Sequence, residues 1–536
     1  MTLNLTHIDW IVLVIVVGCS LSFGLYMAYR KKSGQSSSNF FLGGRSIKWP
    51  IVGASVFATN IGAEHLVALS GDSYRYGLAA GSVELTTAIT LGIACAVLFP
   101  YYIKNKIYTI PEFLELRYNR RARTFFSGLM LIISIMTKLA FTMYAGALVF
   151  NSIFGWDVMT TVAVIAVVVA VFTMIGGFTA VAYTDSIHVT IMIFSAVLML
   201  FIGLDRVDGW SGLVAKVPDM ISIGKPMDDP HYPFWGILAT AFYAGVFYWG
   251  MDQVNVQRIL AAPDLKNARR GAMFATLLKL LPIFIFALPG VIAFALFPNE
   301  LVGEESKNTY VLLLNKLLPT GLRGLLLASL VSALITALIA VLNSVSTLVV
   351  RDFIVEFKPD YSEKKQVKLG RIIILVVALL GVAAAYLVYK SPSGLYLYLQ
   401  TMCAYLMIPV FPAIFFGIMS KKVTLKGATI SVIVGILLAT LFVVDELMGN
   451  SAKDIFPFLH YKYTLNFGFR GLWAEILITA VLFAVSAFTE KTVTEKLEKT
   501  TINYSKGVAR FEGLSDWRLH LAVLSVITLG IYIWLF

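Results

Sequence analysis

Asn60, Glu64 and His65 stand within a single apolar run, GASVFATNIGAEHLVALSG (53–71). Buried in hydrocarbon, an amide, a carboxylate and an imidazole are each costly unless they line a cavity, so groups at this depth mark a route for an ion or a substrate. Their chemistry is that of holding a passenger by coordination and hydrogen bonds. No GxxxxGK[ST] phosphate loop occurs, which argues against an ATP-driven pump. Glu64 and His65 form no HExxH pair and the other histidines (His7, His188, His231, His460, His520) are scattered, which argues against an intramembrane metalloenzyme.

The elements that must position these groups are membrane helices. Of the 536 residues, 58% are hydrophobic and 14% charged. Apolar runs of about 20 residues recur from end to end, a pattern foreign to a soluble enzyme. These runs predict about fourteen helices, near 8–29, 48–70, 76–104, 121–151, 158–176, 180–205, 234–258, 268–298, 325–356, 368–390, 394–420, 424–446, 469–489 and 516–536. They are numbered below as spans one to fourteen. The charged segment 490–515 is expected to form a solvated helix.

The net charge of +12 invites a nucleic-acid reading, but Lys and Arg concentrate in alternate loops, as the positive-inside rule requires. Loops 30–48, 104–123, 258–270, 351–371, 420–426 and 489–518 hold 30 of the 43 basic residues and are assigned to the inside. The expected surroundings are a lipid bilayer, with no nucleic acid and with both termini outside. Lys138, in SIMTKLAF, and Lys279 fall within helices; Lys138 either pairs with a buried carboxylate or snorkels, and Lys279 needs a partner. Positions 1–29 carry no Lys or Arg, so 8–29 is read as a retained helix. Cys19, Cys95 and Cys403 lie far apart inside apolar segments and are expected to be core residues. The chain reads as one membrane domain over 1–536, and its compactness points to a bacterial inner membrane.

Residues 206–233 separate two blocks of five helices, 48–205 and 234–420, that begin on opposite sides of the membrane; 8–29 precedes them and 424–536 follows. Each block opens with a helix interrupted by polar or small residues, at ATNIGAEH and at AFYAGVFYWGMDQ (241–253). Paired interruptions of this kind expose carbonyls and half-helix ends where substrate and ion bind; glycines serving only close helix packing are the alternative.

Taken together, GASVFATNIGAEH, YTIPEFLELRYN (108–119), GGFTAVAYTD (176–185), YWGMDQVNVQR (248–258) and VLNSVSTL (341–348) resemble the sodium:solute symporter family, from about residue 40 to 426, and within it the sodium/glucose (galactose) cotransporter branch. The resemblance implies an all-α, leucine-transporter-type fold of five plus five inverted helices with flanking helices. It implies a carrier, not an enzyme, with sodium as coupling ion and no other cofactor.

By that resemblance the sugar hydroxyls are held by Asn60, His65, Glu84, Lys279 and Gln400, with Thr87 nearby, Tyr248 as stacking and inner-gate aromatic and Trp249 beside it. Such a set suits a ring of hydroxyls, each a donor and an acceptor, lying against an aromatic face. Glu84 and Lys279 pairing only with each other, and His65 as a hydrogen-bonded core residue, are the plainer readings. Outer-gate positions fall on Leu69, Val83 and Tyr396, with Val83 smaller than the usual aromatic. Gly245 removes a side chain where sugar carriers often place Asn or Thr.

For the ion, the resemblance implies carbonyls of Ala58 and Ile61 facing the Ala333 carbonyl and the Thr336 hydroxyl, with Asp185 on the release path or, alternatively, a capping residue. Ala337 replaces the usual second hydroxyl, so water or Ser332 must substitute for full coordination. Ile339 and Ala340 occupy a further hydroxyl site of some members, which limits the expectation to one ion per cycle. The expected function is sodium-driven uptake of a glucose- or galactose-like hexose by alternating access. A myo-inositol or other polyol symporter, a proton-coupled or uncoupled sugar carrier, and a sugar sensor on the same fold are the alternatives.

Overall fold

The computed structural model of the chain describes residues 5–32, 34–62, 64–389, 405–448, 455, 457–460, 467–490, 494–502 and 511–536. Tyr396, Gln400 and Cys403 lie outside the described residues. Among the described residues ten helices are long and apolar enough to cross a membrane, or eleven if the bent pair Phe234–Gly250 and Gln253–Leu260 forms one span. The first part of span eleven falls outside the described residues, and the rest of the difference has structural causes. Spans five and six run as one stretch, Val158–Asp205, broken at Gly177, whose φ of 57° and ψ of −165° favour a residue without a Cβ. The second half of span two runs on into span three, His65–Lys104.

Burial ranks the spans. In Leu322–Val355, span nine, 89% of the apolar window is buried, against 17% in His7–Arg30 and in Trp517–Leu535. Span nine is therefore the core helix, and its Ser329, Ser332, Thr336, Ser344, Ser346 and Thr347 are all buried in protein rather than turned to lipid. Spans one and fourteen are peripheral. Cys19 on span one is accordingly exposed, against the expectation of a core residue, whereas Cys95 is buried.

The six basic loops meet at one end of the bundle. Arg45 donates to the carbonyls of Lys106 (2.7 Å) and Ile107 (2.9 Å), and Asn105 donates to the Lys499 carbonyl (3.1 Å). Arg117 reaches the carbonyls of Ser420 (3.2 Å) and Val423 (2.9 Å), and Lys266 pairs with Glu512 at 2.6 Å. Arg123 gathers Asp352 (2.8 Å), Glu115 (2.8 Å) and Glu356 (2.7 Å). At the other end Asp9 accepts from the Gly321 and Gly324 amides, and Ser222 donates to the Phe536 carbonyl at 2.9 Å. Asp9 and Phe536 thus lie opposite the basic loops. Among the described residues of 490–515 the α-helix is short, Thr494–Thr500, with Glu495, Glu498 and Lys499 exposed and Leu497 and Thr500 buried.

Candidate functional site

Span two is helical over Trp49–Asn60 and then stops: Ile61 has extended φ and ψ of −93° and 102°, and helix resumes at Glu64 with π-type winding to Leu69. A helix that stops at Asn60 leaves its last carbonyls without the next turn's donors, which is where the family resemblance puts Ala58 and Ile61 as expected ion ligands. Span seven breaks within the expected segment 241–253, toward its end. Gly245 stays helical at the end of a π-type turn, Ala241–Gly245, and the break falls at Met251 and Asp252. There the chain bends by 51°.

One cavity lies between these breaks. Asn60, His65, Glu84, Thr87, Tyr248, Trp249 and Lys279 all line it, joined by Val83, Thr86, Thr137, Lys138, Thr142, Thr240 and Ala337. Residues from spans two, three, seven and eight, far apart in sequence, are thereby brought to one place. Leu69 is fully buried and is not among the lining residues.

The polar groups of the cavity form a connected set. Lys279 donates to the Glu84 carboxylate and to Asn60 Oδ1, and His65 Nε2 lies 3.2 Å from Glu84 Oε1. Asn60 Nδ2 donates to the Tyr248 hydroxyl at 2.7 Å, which lays the tyrosine across one wall. Trp249 stands edge-to-face with Tyr248 at 5.1 Å, and the Lys279 ammonium sits 5.8 Å from its ring. Both plain readings of Glu84 and Lys279 therefore meet: they pair with each other, and the pair borders the cavity.

Several partners were not legible in the sequence. Lys138 pairs with Asp252 and sits 4.4 Å from the Tyr248 ring, while Asn255 also donates to Asp252 at 3.1 Å. Asp252 is the carboxylate that Lys138 was expected to seek; it lies just past the span-seven break, and only the break itself hinted at it. Toward the basic end, the buried Arg258 donates through Nε to Thr59 Oγ1 at 2.9 Å and lies over the Phe178 ring at 5.2 Å. Asp185 accepts a 2.5 Å hydrogen bond from Ser55 on span two, and Thr336, Ala333, Ala58 and Ile61 are all buried.

Residues 40–435 match the profile of the sodium:solute symporter family. The chain is 31% identical over 539 residues to sodium/myo-inositol cotransporter 2 of Bos taurus, covering 92% of this chain and 78% of that protein. It is 29% identical over 542 residues to the sodium/myo-inositol cotransporter of Homo sapiens, covering 91% and 74%. In fold it is similar to a Na+-coupled sialic acid symporter solved in a substrate-bound, outward-open state, with a TM-score of 0.77 at 21% identity, covering 91% of this chain and 99% of that one. Mhp1, a nucleobase-cation-symport-1 family transporter solved in a closed conformation, superposes with a TM-score of 0.55 at 15% identity over 86% of this chain and 97% of that one.

Proposed function

Because the chain belongs to the sodium:solute symporter family, we propose that this sodium-coupled solute symporter carries a cyclic polyol of the myo-inositol kind. The observation that carries the reading is the connected set of Asn60, His65, Glu84 and Lys279 beside Trp249 and Tyr248 in one cavity. An inositol bears a hydroxyl on every ring carbon, and each must find a donor, an acceptor or both when it leaves water. Carboxylate, ammonium, amide and imidazole answer that need around a rim, while an indole covers the apolar C–H face. The hexose expected from the sequence gives way to a polyol, since the curated relatives named above are sodium/myo-inositol cotransporters.

Within the cavity the four polar side chains are hydrogen-bonded to one another, and the polyol exchanges those contacts for its own. Sodium binds between the broken span two and span nine, at Ala58, Ile61, Ala333 and Thr336, and favours the state in which the polyol site is complete. Binding acts through differential affinity for the outward- and inward-open states, and the two repeats rock about the site. Tyr248 on Asn60 closes the floor, and Asp185 lies on the path by which the ion leaves. The basic loops face inward, so both termini face outward.

Uptake of labelled myo-inositol, glucose and galactose into proteoliposomes under an inward sodium or potassium gradient tests the reading. Sodium-dependent accumulation of myo-inositol above both hexoses is expected. Hexose accumulation in preference to myo-inositol overturns the substrate, and equal uptake in both salts overturns the coupling.

A further inference from the structure

Thr336 is the one side-chain hydroxyl in the expected ion ligand set, because its neighbour is Ala337. That hydroxyl is held by a residue of span six: His188 Nδ1 lies 2.7 Å from Thr336 Oγ1. The far side of the imidazole is held as well: His188 Nε2 lies 2.7 Å from Ser20 Oγ on span one. Ser20, His188 and Thr336 are all buried, so a single ring joins spans one, six and nine within the protein.

A neutral imidazole offers one donor and one acceptor. With a hydroxyl at each nitrogen, Ser20 takes whichever role is complementary to the one Thr336 takes, so the ring is satisfied at both edges and cannot swing. Fixing the ring fixes the Thr336 rotamer. An ion site tolerates only about 0.2 Å of error in its ligand distances, which makes the position of a lone hydroxyl decisive. A second contact steadies the same helix pair, for Asp9 Oδ1 accepts from the amides of Gly321 (2.7 Å) and Gly324 (3.0 Å). Those amides are the orphan donors at the start of span nine.

We propose that His188, held in place by Ser20, is a positioning residue for the coupling ion, setting the Thr336 hydroxyl so that one side-chain hydroxyl serves where a pair is usual. The inference rests on the reading of Thr336 as an ion ligand. It brings span one, which lies outside both repeats, into ion binding without any contact to the ion.

The test compares wild type, His188→Gln, His188→Leu and Ser20→Ala in four measurements: radioactive sodium binding without solute, half-saturating sodium for myo-inositol uptake, half-saturating myo-inositol at saturating sodium, and melting temperature. His188→Leu is expected to raise half-saturating sodium roughly tenfold and Ser20→Ala about threefold, the range for losing one buried hydrogen-bond partner. His188→Gln keeps a donor and an acceptor and is expected to stay near wild type. Half-saturating myo-inositol at saturating sodium is expected not to move. If His188→Leu does not fold, Ser20→Ala, which deletes one hydroxyl, decides. Unchanged sodium dependence in His188→Leu and Ser20→Ala overturns the inference, as does a loss shared equally by the glutamine and leucine variants, which would mark a packing role. Wild type that binds no sodium overturns the ion-site reading itself, a result distinct from wild type and His188→Leu binding sodium equally.

Discussion

Lys279 on span eight and Glu84 on span three form a buried ion pair at the wall of the cavity, 2% and 5% exposed, and the same ammonium reaches Asn60 at the break of span two. The ammonium thereby joins three helices at the wall of the cavity. Glu84→Ala leaves the ammonium without its counter-ion and is expected to cost about 3–5 kcal/mol of stability and to abolish uptake. Lys279→Met combined with Glu84→Gln is expected to recover most of the melting temperature and none of the transport. Uptake by the double variant would reduce the pair to a structural device.

The Tyr248 hydroxyl and Asn60 close one wall of the cavity by a single 2.7 Å hydrogen bond. Tyr248→Phe keeps the ring and loses that bond, worth about 1 kcal/mol. Half-saturating myo-inositol is expected to rise only a few-fold, while solute exchange from preloaded liposomes speeds up because the floor opens more readily. Slower exchange would count against a gating role.

Lys138 and Asp252 bind span four to the break of span seven. Lys138→Met is expected to lower stability by about 3–5 kcal/mol, and adding Asp252→Asn should return much of that loss, since the uncompensated charge is then gone. Thermal unfolding of the two single variants and the double variant gives the coupling directly. Additive losses would show that the two charges do not depend on each other.

Val83 lines the cavity and presents a small side chain where an aromatic lid was the usual expectation. Val83→Phe is expected to leave myo-inositol uptake within a few-fold of wild type and to exclude bulkier glycosides or substituted rings. Competition of labelled myo-inositol uptake by a size series of such compounds reads this out, and an unchanged series would remove Val83 from the gate.

What the sequence made legible was set by how local each signal is. Asn60 and His65 announce themselves because polar groups in an apolar run are costly wherever the run ends up. The break after Asn60 could be placed for the same reason. Lys138 and Asp252 are each visible alone, but 114 residues separate them, from the middle of the first repeat to the start of the second, a separation at which no periodicity carries information. His188 reads from sequence as one polar residue in a long apolar helix, and only the approach of spans one and nine gives it partners. The interruption expected within AFYAGVFYWGMDQ spans thirteen residues in the sequence, and only the structure narrows it: the π-type turn at Ala241–Gly245 keeps Gly245 within the helix, and the chain bends where Met251 leaves helical angles and Asp252 meets Lys138.

Asp9 and Ser20 lie about three turns apart on one face of the lipid-exposed first span, each gripping a different depth of the buried core. The span therefore behaves as a ruler with two marks. Shifting its register by one residue between the marks turns one of them by about 100°, so both grips cannot be kept at once. Length and phase, more than the apolar residues that face the lipid, are what this helix is constrained to preserve.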